Sequence, residues 1–179
     1  MQESKQQIEQ FVKNTVTAIG LLFKSELYGQ TKILMYSAID TMGLLDAPAG
    51  QEKASGETFK AWVRKYILAN TKLPFSDVDL WAARCAVLHT FTTASDLSNG
   101  GKAKEIIFFV GQADSPMMKA FHAATLDVGK DTHVPAVFSD FLDAFLEGIE
   151  RFMGDLIANC EKDSAYSRRL GKIIQTHMV

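Results

Sequence analysis

Arg84 and His89 are the residues of this chain best suited by type and spacing to do chemistry. They lie in the stretch Asp79-Leu80-Trp81-Ala82-Ala83-Arg84-Cys85-Ala86-Val87-Leu88-His89, where an arginine interrupts a run of apolar and small residues. An unperturbed imidazole titrates near pH ~6.5, so His89 can accept or deliver a proton under mild conditions. A guanidinium is a planar fork of donors that suits phosphate oxygens and can stabilise charge as it develops. On a helix, five residues advance about 140° net, and long side chains at such positions can still converge on one groove. A structural account of the same residues stays open. Arg84 can pair with Asp40 or Asp79, since a guanidinium on such a helix is rarely buried without a partner. Asp40 sits in the apolar stretch Ser37-Ala38-Ile39-Asp40, where a carboxylate wants a cation, and it can also orient Arg84. His89, for its part, can cap the C-terminal carbonyls of its helix.

No His-Glu-x-x-His, Cys-x-x-Cys or Gly-x-Ser-x-Gly motif is present. Gly100-Gly101-Lys102 lacks the spacing of a phosphate loop and reads as a turn. Phe59 to Ser95 holds Lys60, Arg64, Lys65, Lys72 and Arg84 against Asp77 and Asp79, a local balance of +3. That stretch is either a modest phosphate-facing surface or one solvated helix face. Trp62, Tyr66 and Trp81 are interleaved there at helical spacing, as core aromatics are. Arg168, Arg169 and Lys172 form a second small basic cluster, expected at the surface.

Arg84 and His89, four residues between them and on a helix of a mainly helical sequence, carry a resemblance to the HEPN superfamily (higher eukaryotes and prokaryotes nucleotide-binding). At the level of a helical bundle the resemblance extends over about the first hundred residues. The residue after the family arginine is commonly Asn, and here it is Cys85. The resemblance implies a homodimer that cuts RNA without a metal or other cofactor, two motifs facing one cleft. In such a reaction the 2′-hydroxyl attacks the adjacent phosphate and leaves a cyclic phosphate, so DNA could bind without being cut. Arg84 and His89 would be catalytic, with Asp40 and Asp79 supporting. The resemblance also implies a toxin or defence role, with an antitoxin protein as a partner. Two alternatives stand beside it: a non-catalytic module that binds a nucleotide or a protein, and a helical interaction protein with no active site.

Composition bounds these readings. The chain has 179 residues, 47% of them apolar and 22% charged, which fits one globular domain spanning 1–179. A chain of this length buries roughly 68–70% of the surface its unfolded form exposes, so it needs no disulfide or structural metal to fold. The net charge of −2 excludes a strongly basic nucleic-acid arm, and any RNA contact must rest on a local patch. The two cysteines, Cys85 and Cys160, have no metal-ligand spacing and suggest a reducing compartment. With no signal-peptide layout at Met1 to Lys5, and no uncharged run near the ~20 residues of a membrane span, the expectation is a cytoplasmic protein that does not enter a membrane.

The elements that must position Arg84 follow from periodicity. Ile8, Phe11, Val12, Val16, Ile19, Leu22 and Phe23 predict a first helix, with Ser4 as its cap and Gly29 as its break. A second helix is expected near 31–45, a third near 57–69, and a fourth from Ser76 or Asp77 to about Ser95. The run Ile106-Ile107-Phe108-Phe109-Val110 fits a buried strand or a buried helical turn equally well. As a strand it can pair with Thr132-His133-Val134. Asp114-Ser115-Pro116 starts a short helix ending near Gly129. Phe138, Leu142, Phe145, Ile149, Phe152 and Leu156 mark a long helix between Pro135 and Cys160, with Asp140, Asp143, Glu147 and Glu150 on its solvated face. The fold class is therefore mainly α, a bundle of four or more helices with room for one small two-stranded element.

Overall fold

The computed structural model describes residues 2–112 and 114–173. The fold is mainly α. Helices α1 (Gln2–Lys24), α2 (Tyr28–Asp46), α3 (Gly56–Trp62) and α4 (Asp77–Thr90) come first, followed by a single-turn α5 (Asp96–Asn99). Strand β1 (Glu105–Phe109), helix α6 (Pro116–Gly129) and strand β2 (His133–Val137) form the middle, and α7 (Phe138–Lys162) and α8 (Ser164–Leu170) complete the described chain. No helix among the described residues is long and apolar enough to cross a membrane.

Helices α2 and α7 carry the centre. Met35, Tyr36, Ile39 and Met42 of α2 are buried, as are Phe141, Phe145, Ile149, Phe152 and Leu156 of α7. Each of these large apolar side chains contributes roughly 1.5–3 kcal/mol of burial before its ordering entropy is counted. The acidic residues of α7 at 140, 143, 147 and 150 are exposed, so the two-sided pattern read from sequence describes the helix correctly. Among the described residues no group of three or more His, Cys, Asp or Glu side chains is gathered as a metal site. Helix α2 meets α3 closely: a Cβ on Gly43 would stand 2.6 Å from the Thr58 carbonyl oxygen, so only glycine allows the two backbones this approach.

Several boundaries differ from expectation. Helix α1 runs back to Gln2, which puts Ser4 inside the helix rather than at its cap. The break before α2 falls at residues 25–27, where Glu26 adopts φ +58°, and Gly29 is already helical. The third helix loosens into a π-turn over Val63–Ile67 and a 3-10 turn over Leu68–Asn70. The π-turn keeps Val63, Tyr66 and Ile67 all buried against α7, and Arg151 donates to the Tyr66 carbonyl at 2.5 Å. The expected loop at Ser98 begins inside α5, which Ser95 caps.

The ambiguous run at 106–110 is a strand as far as Phe109, and β1 pairs with β2 in parallel, Ile106 opposite Val134 and Phe108 opposite Ala136. A parallel pair cannot be closed by a hairpin, so α6 serves as the crossover. Pro135 is the middle residue of β2 rather than a helix start. It lacks an N–H, a loss tolerated where one side of a strand makes no ladder. Strand β2 passes directly into α7, Val137 ending one and Phe138 beginning the other. Arg169, expected at the surface, is buried, and its guanidinium donates to the carbonyls of Ala47, Pro48 and Gln51. Its neighbours Arg168 and Lys172 are exposed and pair with Glu52.

Candidate functional site

Helix α4 presents the candidate residues, and its start explains its register. Ser76 accepts from the Asp79 N–H at 3.1 Å, while Asp79 accepts from the Ser76 N–H at 2.9 Å, a reciprocal cap. The second carboxylate oxygen of Asp79 accepts from the Lys104 N–H at 2.6 Å. Asp79 is 8% exposed, and both its oxygens are engaged in joining the helix start to the segment that leads into β1. The structure thus does not bring Asp79 to Arg84. Its role is to anchor α4. Ala82, Ala83 and Ala86 are buried, and their small side chains let α4 lie close to α2, α3 and β1.

Arg84 reaches Asp40 of α2. Its Nε and Nη2 donate to one oxygen, Asp40 Oδ2, at 2.8 and 2.6 Å. The guanidinium also lies over the Trp81 indole, 5.0 Å from the ring centroid. The two charged side chains keep 20% and 18% of their surface exposed, so the pair is covered without being sealed. A guanidinium has five N–H bonds, and Asp40 takes two of them. Burial pushes the Asp40 carboxyl up from its ordinary value, an effect the Arg84 hydrogen bonds and charge oppose. Cys85 stands beside them. Burial raises its thiol, with Arg84 opposing, so it is a thiol rather than a reactive thiolate.

His89 is exposed near the end of α4. Among the described residues it donates to no carbonyl at the helix end, where Thr90 and Phe91 supply donors instead. Thr90 Oγ1 donates to Ala86 O at 2.9 Å, and the Phe91 N–H donates to Val87 O at 3.1 Å. Phe91 closes the helix in the left-handed region at φ 55°. Its ring packs so tightly on Gly29 that a Cβ there would come within 2.5 Å. Among the described residues His89 has no hydrogen-bond partner, and no hydrogen bond links it to Arg84. The two sit about 7.5 Å apart along the helix axis. The chain matches no family model, no curated protein and no solved structure.

Most of the surrounding cations are already paired. Lys60 meets Glu57, Arg64 meets Asp77, and Lys65 meets Asp46 and Asp155. The local excess read from sequence is therefore largely a set of surface ion pairs. Trp62 and Tyr66 are core residues, and the Tyr66 hydroxyl bridges Asp46 and Asp155 at 2.9 Å each. Two participants escaped the motif-based reading: Trp81 beneath the guanidinium and Phe91 at the helix end. Trp81 had a signal, since it lies three positions before Arg84 and that spacing brings both to one face.

Proposed function

We propose that this chain is an RNA-binding protein and a metal-independent endoribonuclease of HEPN-like type, acting as a homodimer. Arg84 and His89 are its catalytic residues and Asp40 is the positioning residue for Arg84. The observation that carries this reading is the division of labour on α4. Asp40 and Trp81 fix the guanidinium while leaving part of it exposed, and His89 is exposed with no structural duty. A phosphodiester bound at Arg84 would have its charge met by the remaining N–H groups. His89 would take the 2′-hydroxyl proton or deliver one to the leaving oxygen. The separation of the two side chains along one helix supports a composite cleft, in which two copies supply two motifs. A cytoplasmic toxin or defence effector, held in check by an antitoxin protein, is the role this chemistry suits.

A second reading has an observation of its own. Asp40 already engages Arg84, as it would in a non-catalytic module that binds a nucleotide or a partner protein. Incubation with single-stranded RNA in the presence of a chelator separates the two. The enzyme reading expects cleavage to cyclic-phosphate ends, lost in His89→Ala with folding unchanged. Absence of cleavage across varied RNAs gives the site to the binding module. Cleavage that survives in His89→Ala removes His89 from the mechanism.

A further inference from the structure

Helix α6, the crossover between the two strands, lies open to solvent along most of its length. Among the described residues only its Met118 and Gly129 are buried. Its outer surface is nonetheless apolar. Met117, Phe121 and Val128 are 70%, 54% and 90% exposed, and Ala120 and Ala124 are exposed beside them. Met117, Phe121, Ala124 and Val128 follow one another by four, three and four positions, the spacing of a coiled-coil seam, so they form one stripe on one side of the helix. Lone exposed apolar residues are ordinary, whereas a continuous stripe marks a contact surface. Apart from His122, only Lys119 and Asp127 of this helix can carry a charge, and none of the three is in the stripe. Phe109 of β1 stacks on Phe121 with ring centroids 6.0 Å apart, which holds that ring in place at the surface.

Area and shape commit this face to a second copy of the chain. The exposed parts of Met117, Ala120, Phe121, Ala124 and Val128 amount to about 500 Å² of apolar surface. A standard interface buries about 800 Å² per partner, some ~60% of it apolar, so it needs about 480 Å² of such surface from each side. The stripe is also complementary to itself. In an antiparallel pair related by a two-fold axis, Met117 lies opposite the partner's Val128, and Phe121 lies opposite the partner's Ala124. The largest side chain of the seam then meets the smallest, on both sides of the axis. A parallel pair would set ring against ring and leave a void between the alanines. Antiparallel helices also bring opposite dipole ends together. We propose that α6 joins two copies of this chain, antiparallel and in that register. Neither Arg84 nor His89 belongs to α6, so the contact stands whether or not the chain cuts RNA.

Analytical ultracentrifugation of the full chain at micromolar concentration tests this. Wild type should sediment as a self-associated species. Phe121→Lys and Val128→Lys should each weaken the association by at least about tenfold, since each drives a charge into the seam. Val128 is almost fully exposed, so Val128→Lys keeps the fold if Phe121→Lys does not. Leu21→Lys, at an exposed leucine of α1, should leave the association unchanged. Orientation is read by cross-linking in a Cys85→Ser, Cys160→Ser background. Met117→Cys chains mixed with Val128→Cys chains should form a disulfide under a mild oxidant. Met117→Cys chains alone should not, because the two thiols would stand about 16 Å apart along the paired helices. A monomeric wild type overturns the proposal. So does a Met117→Cys cross-link to itself, or an association that Leu21→Lys weakens as much as Phe121→Lys does. An association that neither α6 lysine weakens overturns it too, placing the pairing on another face and leaving the RNA reading intact.

Discussion

Removing Asp40 should unsettle the protein more than removing Asp40 and Arg84 together. The pair is four-fifths covered on both sides, with 20% and 18% of the side chains exposed. Breaking a fully buried pair by deleting one partner costs about 3–5 kcal/mol, and an exposed pair is worth about 0–1 kcal/mol. Discounting for the solvent that reaches this pair, Asp40→Ala should cost about 2 kcal/mol, because Arg84 is left largely covered without its acceptor. For a chain of this size that is a fall of about 4–8 °C in melting temperature. Arg84→Met should cost a similar amount by stranding the carboxylate. The double variant should cost only about 0–1 kcal/mol, since replacing both charges with apolar groups removes their desolvation penalty. Burial is the larger influence on the Asp40 carboxyl and Arg84 opposes it, the balance expected of a covered ion pair. Urea unfolding of the four proteins of the cycle gives the coupling directly. Additive single effects, with coupling below about 0.3 kcal/mol, would refute the claim that these residues act as a pair.

The remaining predictions concern the elements around that pair. Asp79→Ala should destabilise the protein by about 2–4 kcal/mol in denaturant unfolding, because it loses the cap of α4 and orphans the Lys104 N–H. Arg169→Met should cost about 2–4 kcal/mol by the same measurement, since the carbonyls of Ala47, Pro48 and Gln51 lose a shared buried donor. His89→Ala should change stability by less than about 0.5 kcal/mol, as an exposed residue without a partner does, whatever it does to RNA cleavage. The Asp40 carboxyl titrates above its ordinary 3.8 in the folded protein, so between 3.8 and the raised value the native state holds a proton there that the unfolded chain has released. Stability from this group is therefore greatest below pH 3.8 and declines as pH rises through the raised value. Wild type minus Asp40→Asn, measured as unfolding free energy against pH, should show that decline; a difference that grows with pH would reverse the assigned sign.

Much of this molecule is readable from residue order, and the unread parts share a cause. The stripe from Phe138 to Leu156 predicts α7 because a solvated face opposes an apolar one. Asp40 could be matched to Arg84 because a lone carboxylate among apolar residues needs a cation. Asp79 could not be separated from that role by composition, since its true partners are backbone N–H groups at Ser76 and Lys104. Arg169 was misplaced for the same reason: it serves carbonyls more than 115 positions away in the chain, and carbonyls leave no trace in side-chain patterning. The end of α4 at Thr90 rather than Ser95 depends on a left-handed Phe91, a conformation that residue type does not favour. Strand β1 was ambiguous because a fully apolar run fits either period.

The seamless passage from Val137 to Phe138 has a mechanical meaning. With no intervening residue to absorb a change in backbone angles, the sheet and helix α7 are expected to move together. A displacement of β2 is therefore expected to reach Phe141 and Phe145, which are buried one and two turns into α7. Inserting glycines at this joint would cut the transmission, and amide exchange in β1 and β2 would then quicken without a matching change in α7.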